Sequence, residues 1–255
     1  MDFLKPETVL NLQNIREVLV RMEDTILFNL IERAKFPQQK TIYISGGIDI
    51  PGFDGSFVEW LLREEEIVHA KARRYESPDE IPYFPDDLPD PVLPRISYPP
   101  ILHPHPNKLN MNDKIKYFYI HDIVPKICPK GEQKENFGST SLCDISCLRS
   151  LSRRIHFGRF VAEAKFKSEP ERMTELINNK DVPGLEGAIT NSAVEQQILE
   201  RLKKKALGYG TDPSQPNQSL QKVDADAVVE MYKNWVIPLT KDIEVAYLLH
   251  RLDEE

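Results

Sequence analysis

The chain has 255 residues, with 33 Lys and Arg against 40 Asp and Glu for a formal net charge of −7, and 40% of its residues are hydrophobic. That apolar content with so modest a charge excludes a disordered chain, and the acidic balance excludes a global field for nucleic acid or an anionic membrane surface. No apolar stretch approaches the roughly 20 residues of a membrane-spanning helix, and MDFLKPETVL lacks the pattern of a signal peptide, so a cytoplasmic protein is expected.

Residues 7–34 carry Leu12, Ile15, Leu19, Met22, Ile26 and Leu30 at helical period, which predicts one long first helix with Pro6 at its mouth. Pro37, Gly46, Gly47, Pro51 and Gly52 then break the pattern. TIYISG within that break reads as loop, because a lone strand would leave its backbone groups without partners. Helical period returns over 56–76 with Phe57, Trp60, Leu61, Ile67 and Val68, ending in Lys71, Arg73 and Arg74, where cations suit the helix dipole. Ten of the chain's twenty prolines fall between Pro78 and Pro106 and forbid a long helix or central strand there. Since apolar residues from Ile81 to Leu102 interleave with them, including Val92 and Leu93, an extended crossover that buries apolar teeth is expected rather than a free linker.

Further helices are predicted at about 110–127 (interrupted near Pro125), 140–168, 170–179, 190–207 and 224–252. Gly138, Ser139 and Thr140 open the second of these, and Ser141 with Asp144 has capping-box spacing for a start one turn later. Asp224 is a good N-cap for the last helix, which Pro238 should kink. Alternating period-2 runs are nearly absent, so the fold class is all-α, a multi-helix bundle with a proline-rich crossover and no significant sheet. Cys128, Cys143 and Cys147, an odd number, fit a reducing compartment, and no metal site is expected from them. His69, His121, His156 and His250 lack a catalytic partner at suitable spacing and read as structural.

In a bundle the informative residues are ionisable ones on the apolar stripe. Arg16 lies among Val9, Leu12, Leu19 and Val20 at helical offsets. Arg154, Gly158, Val161 and Lys165 step by 4, 3 and 4, so Arg154 and Lys165 project from one face about 16 Å apart, with Gly158 leaving space between them. Asn191 and Glu195 continue as Ile198 and Leu202, and Thr240 and Glu244 lie between Ile237 and the pair Tyr247 and Leu248. Any one of these alone reads as a snorkelling side chain or a buried ion pair. Together they leave an excess of cations that an anionic ligand would complete, and burying charges for stability alone is costly.

The strings LQNIREVLVRMED, SLSRRIHFGRFVAEAKF, ITNSAVEQQILERL and IPLTKDIEVAYLLHRL, in this order, resemble the all-helical chorismate mutases of fungi and plants. RRYESPDEIPYFPD at 73–86 extends the resemblance to nearly the whole chain. It implies one domain over 1–255 and a homodimer with an active site inside a four-helix bundle of each subunit. The implied reaction takes chorismate to prephenate, the branch step toward phenylalanine and tyrosine, without cofactor or metal. In the roles the resemblance implies, Arg16 and Arg154 hold carboxylates, and Lys165 and a protonated Glu244 donate to the ether oxygen. Glu195 accepts from the ring hydroxyl, while Asn191 and Thr240 orient the substrate.

Regulated members of that family bind tyrosine as inhibitor and tryptophan as activator at the dimer interface. Arg73 and Arg74 match the arginine pair that one subunit supplies there, and Asn136, Gly138 and Ser139 match the helix start of the other. Leu142 departs from the pattern, where a Thr is expected. A non-catalytic helical scaffold or amino-acid sensor is the competing reading; it predicts the loss of some inner-stripe polar residues, and none of the seven is missing. Another transformation of a cyclic dicarboxylate in the same pocket is the enzymatic alternative.

Overall fold

The computed structural model describes residues 2–104, 109–209 and 223–253, and the first helix expected at 7–34 is two helices. α1 (Pro6–Val9) ends after one turn, and α2 (Leu12–Arg33) starts afresh because the Asn11 side chain accepts from the N–H groups of Gln13 and Asn14. Such a cap satisfies donors that a helix start leaves free, and apolar periodicity is blind to it. The stretch read as loop after α2 contains one 3-10 turn, Lys40–Tyr43, and no strand. α3 (Phe57–Lys71) opens on a capping box between Ser56 and Glu59. It stops short of the expected end because Arg73 takes a left-handed φ of 66° and turns the chain into a 3-10 turn at Arg74–Glu76.

The crossover is pinned as much by hydrogen bonds as by apolar teeth. Buried Glu66 of α3 accepts from the backbone N–H groups of Tyr83 and Phe84, and the Tyr83 hydroxyl donates to the Leu148 carbonyl at 2.9 Å. Ile101 is buried as expected, but Val92 and Leu93 face solvent. Pro106 and the residues beside it at 105–108 lie outside the described residues.

The predicted helix at 110–127 forms as α4 (Asn112–Phe118), a π-helical turn (Tyr119–Ile123) and α5 (Val124–Ile127). The π turn ends two residues before Pro125, and the Val124 N–H bonds back five residues to the Tyr119 carbonyl. Widening the helix in this way absorbs a proline, which lacks an N–H and crowds the carbonyl four residues earlier. α6 (Phe137–His156) and α7 (Gly158–Ser168) span the region expected at 140–168. Ser141 and Asp144 do not cap this segment, which begins at Phe137. Asp144 is instead fully buried, accepting from Arg33 Nε at 2.6 Å, the Tyr119 hydroxyl at 2.7 Å and the Tyr43 hydroxyl at 2.8 Å. This network ties α2 to α6.

α8 (Pro170–Asn178) is followed by α9 (Val182–Ile189), which the apolar pattern does not announce. Its two glycines weaken the pattern, yet Asp181 caps Gly184 N–H and Pro183 pre-sets the first turn. α10 (Ser192–Tyr209) packs on α2, and Glu23 of α2 takes a bidentate ion pair from Arg201 with Lys205 beside it. Asp224 caps α11 (Ala225–Met231), and a second π turn (Tyr232–Val236) leads into α12 (Ile237–Leu249). That turn also ends two residues before its proline, Pro238, so the interruption expected there is a π turn.

Three apolar clusters hold these elements. The largest joins α2, α3, α4, α6, α10 and α11 with the start of α12; a second joins α7, α8, α9 and the end of α12; a third lies between the start of α2 and α7. The clusters meet at a cavity lined by Ile15 of the third, Ile189 of the second and Ile198, which packs against the first.

Candidate active site

That cavity, of about 230 Å³, is walled by α2, α6, α7, α10 and α12, with the end of α9 closing one side. All seven inner-stripe polar residues line it: Arg16, Arg154, Lys165, Asn191, Glu195, Thr240 and Glu244. Apolar walls with a few converging polar groups are the ordinary form of a small-molecule site.

Gly158 decides how closely α7 and α12 approach. A Cβ on it would lie 3.0 Å from both the Thr240 carbonyl oxygen and Thr240 Cγ2, and 3.2 Å from Glu244 Cγ. The glycine therefore admits the two α12 residues into the cavity wall, a tighter role than the open space expected from sequence. Arg154 is buried at 3% exposure, and its Nη1 donates to the Thr240 hydroxyl at 3.3 Å. The same hydroxyl donates to the Val236 carbonyl at 2.6 Å, which fixes its rotamer and leaves a lone pair for the guanidinium. Arg154 Nε is buried without a partner among the described residues, a donor whose desolvation none of them offsets.

Lys165 is half-buried, and its Nζ donates to the Ala188 carbonyl at 3.0 Å, near the C-terminus of α9. Asn191 caps α10, its Oδ1 accepting from Val194 N–H at 3.1 Å. Glu195 pairs with Lys241 at 2.7 Å. Arg16 is exposed and stands at the mouth of the cavity, rather than within the apolar packing its neighbours predicted. Glu244 is buried at 6% exposure and has no hydrogen-bond partner among the described residues. Burial pushes its carboxyl up to about 8, against the pull of Arg154, Lys165 and Lys241 and with the push of Glu195. It is therefore protonated at neutral pH and able to donate.

The arrangement offers four cations, one carboxylate and one carboxylic acid around an apolar volume, a setting for a small compound with more than one negative charge. Lys241 and the Ala188 carbonyl were not among the residues the sequence singled out. Lys241 follows Thr240 directly and so falls at the stripe's edge, where a lysine reads as solvated.

The other predicted set is not gathered in this single chain. Arg73 is held by the Pro94 carbonyl, and Arg74 pairs with Glu80 at 2.8 Å. Arg74 shares a second cavity of about 220 Å³ with Arg149, Arg153, Ser146 and Ser150 of α6. Asn136, Gly138 and Ser139 lie at the opposite end of that helix, about 15 Å away at 1.5 Å per residue. Ser139 and Leu142 are exposed, and nothing lies within 4 Å of where a Gly138 side chain would begin.

His156, His121 and His250 have structural partners, whereas the buried Nδ1 of His69 has none among the described residues. His156 accepts from Met111 N–H at 3.0 Å and faces the Ser152 carbonyl, and burial depresses it to about 3, so it stays neutral. His121 packs on Tyr117, and His250 pairs with Asp253 at 2.7 Å. His69 is lowered to about 4 by desolvation with Arg149 and Arg74 nearby. The three cysteines are free thiols, and no group of metal-ligating side chains converges among the described residues. No described helix is long and apolar enough to cross a membrane.

Comparison with known proteins bears on the same residues. The sequence profile described as chorismate mutase type II matches residues 137–245. The chain is 54% identical to the chorismate mutase of Saccharomyces cerevisiae over the full length of both. Among solved structures, that of the Candida albicans chorismate mutase in complex with L-Trp superposes with a TM-score of 0.97 at 54% identity, covering 100% of this chain and 97% of that one. AtCM1 with tyrosine bound in its allosteric site superposes with a TM-score of 0.86 at 43% identity, covering 95% and 97%.

Proposed function

The chain belongs to the chorismate mutases, and from that premise we propose how its bundle cavity turns chorismate into prephenate. The reaction is an isomerisation in which the ether C–O bond breaks as a C–C bond forms, so nothing is added or lost and no nucleophile is needed. What the protein supplies is conformational restriction of a dianion and stabilisation of negative charge developing on the ether oxygen. About 8 kcal/mol off the barrier corresponds to a millionfold acceleration.

In this reading Arg16 at the mouth and Arg154 in the interior each hold one carboxylate. The Nε of Arg154, without a partner among the described residues, gives that residue a donor for the substrate. Lys165 and the protonated Glu244 donate to the ether oxygen. Glu195 accepts from the ring hydroxyl. Asn191 and Thr240 orient the substrate, Asn191 with the amide nitrogen that its capping oxygen leaves free. The observation that carries the proposal is Glu244: a carboxyl kept protonated by burial, in a cavity that otherwise gathers cations.

The test is the loss of chorismate with purified protein across pH. Because kcat/KM reports the free enzyme, it should fall as pH rises through about 8, and Glu244→Gln, which donates at every pH, should flatten that limb. A Gln variant with the wild-type profile would remove Glu244 from the role. No chorismate loss under any condition would defeat the reading as a whole.

The proposal extends to control by tyrosine as inhibitor and tryptophan as activator. Arg73 and Arg74 would bind the amino acid's carboxylate, and Asn136, Gly138 and Ser139 of a second subunit would complete the site, since helix-start N–H groups favour anions. The separation of the two halves within one chain is what a homodimeric site requires. Adding tyrosine or tryptophan to the chorismate assay tests it, and Arg74→Ala should abolish the response to either.

A further inference from the structure

Two carboxyl groups face one cavity from neighbouring helices, Glu195 on α10 and Glu244 on α12, and the reading above gives them opposite protonation states. Burial keeps the proton on Glu244, whereas Glu195, nearer the surface, needs a partner that fixes its orientation as acceptor. The charged groups around Glu244 are Arg16 from α2, Arg154 from α6, Lys165 from α7, Glu195 from α10 and Lys241 from its own helix; the end of α9 contributes only Ile189. Arg154 is engaged with Thr240, Lys165 with the Ala188 carbonyl, and Arg16 stands at the mouth. Lys241 alone among these cations makes an ion pair with a carboxylate of the cavity, Glu195, at 2.7 Å.

We propose that Lys241 is a positioning residue that fixes Glu195 by one oxygen so that the other faces the ring hydroxyl, and that ties α12 to α10 beside the substrate. This inference rests on the assignment of Glu195 as acceptor and Glu244 as donor. The geometry suits both tasks. Lys241 occupies one Glu195 oxygen, Oε1, and leaves the other for the ring hydroxyl. The pair is about one-third exposed, so its attraction is moderated by solvent, while Glu244 lies deeper behind it. Placed three residues before Glu244 on α12, Lys241 ties α12 to α10 on the substrate side of the bundle.

The experiment follows kcat/KM for chorismate across pH in Lys241→Met, Lys241→Arg, Glu244→Gln and Glu195→Gln, and in the double variant Lys241→Met with Glu195→Gln. Losing a cation near Glu244 favours its neutral form, so the alkaline limb of Lys241→Met should move to higher pH by about half a unit or more. Below that limb its kcat/KM should fall about tenfold, the loss of one charge-assisted contact that orients Glu195. Lys241→Arg should restore both. In the Glu195→Gln background, Lys241→Met should cost little more, because the partner it orients is gone. An undiminished cost of Lys241→Met in the Glu195→Gln background, or an unchanged kcat/KM of Lys241→Met below the limb, overturns the proposal alone. A limb that survives Glu244→Gln overturns the carboxylate assignment and the proposal with it.

Discussion

Gly158→Ala is the smallest change that reaches the centre of the bundle. The added methyl would lie 3.0 Å from the Thr240 carbonyl oxygen and Cγ2 and 3.2 Å from Glu244 Cγ. Ordinary contact begins near 3.4 Å, so α12 must retreat from α7 by a few tenths of an ångström. One of the three contacts is backbone, which cannot rotate away. Overpacking of this kind costs about 1–3 kcal/mol, and Ala for Gly at the first residue of α7 returns less than the roughly 1 kcal/mol of a helix interior, so the net loss of stability should be about 1–2 kcal/mol. Activity should suffer more than stability. Thr240 and Glu244 both move with α12, while Arg154 and Lys165 stay with α6 and α7. A 1 Å misplacement can cost about a hundredfold, so a shift of this size should cost about tenfold in kcat/KM. Thermal unfolding and chorismate turnover on the same preparation check this. A variant with wild-type kcat/KM would refute the argument that Gly158 sets the catalytic register of α12.

Arg154→Ala and Lys165→Ala should abolish measurable turnover while the helical circular dichroism stays unchanged; retained activity in either would sink its assignment. Glu244→Gln should also raise stability in a pH-dependent way. The folded carboxyl, held up to about 8, keeps its proton while the unfolded one ionises above its ordinary value near 4.5, so the wild type loses stability as pH rises between those values. The gap in Tm between the Gln variant and wild type should therefore widen from pH 4.5 to about 8 and then level off; a constant gap would contradict the burial argument. Asp144→Asn should destabilise by about 3–5 kcal/mol in denaturant titration, because it leaves the fully buried Arg33 without its counter-charge. His156, neutral when folded and depressed to about 3, should make the fold lose stability as pH falls from about 6.5 toward 3, a slope His156→Gln should flatten in acid titration.

The class of the fold was legible because long apolar stripes at period 3.6 leave no alternative to helices, and prolines mark where those helices yield. The seven polar residues were legible for a related reason: a polar or ionisable group on a stripe is expensive unless it has work to do, and helical spacing places such groups toward an inner face, although it put Arg16 deeper than its exposed position at the mouth. Local chemistry that overrides periodicity was not legible in the same way. Asn11 splits the first helix by capping it, Asp181 and Pro183 start α9 in spite of its glycines, and Asp144 leaves the capping role for a buried ion pair with Arg33. The sequence by itself thus determined which residues could face a core and which of them were too polar to be there for packing. Tertiary structure decided how they meet: that Gly158 brings α12 against α7, that Glu244 is dry enough to keep a proton, that Arg16 stands at the mouth, and that Lys241 belongs to the cavity. Desolvation and pairing are properties of neighbours from distant parts of the chain, and no spacing along one helix contains them.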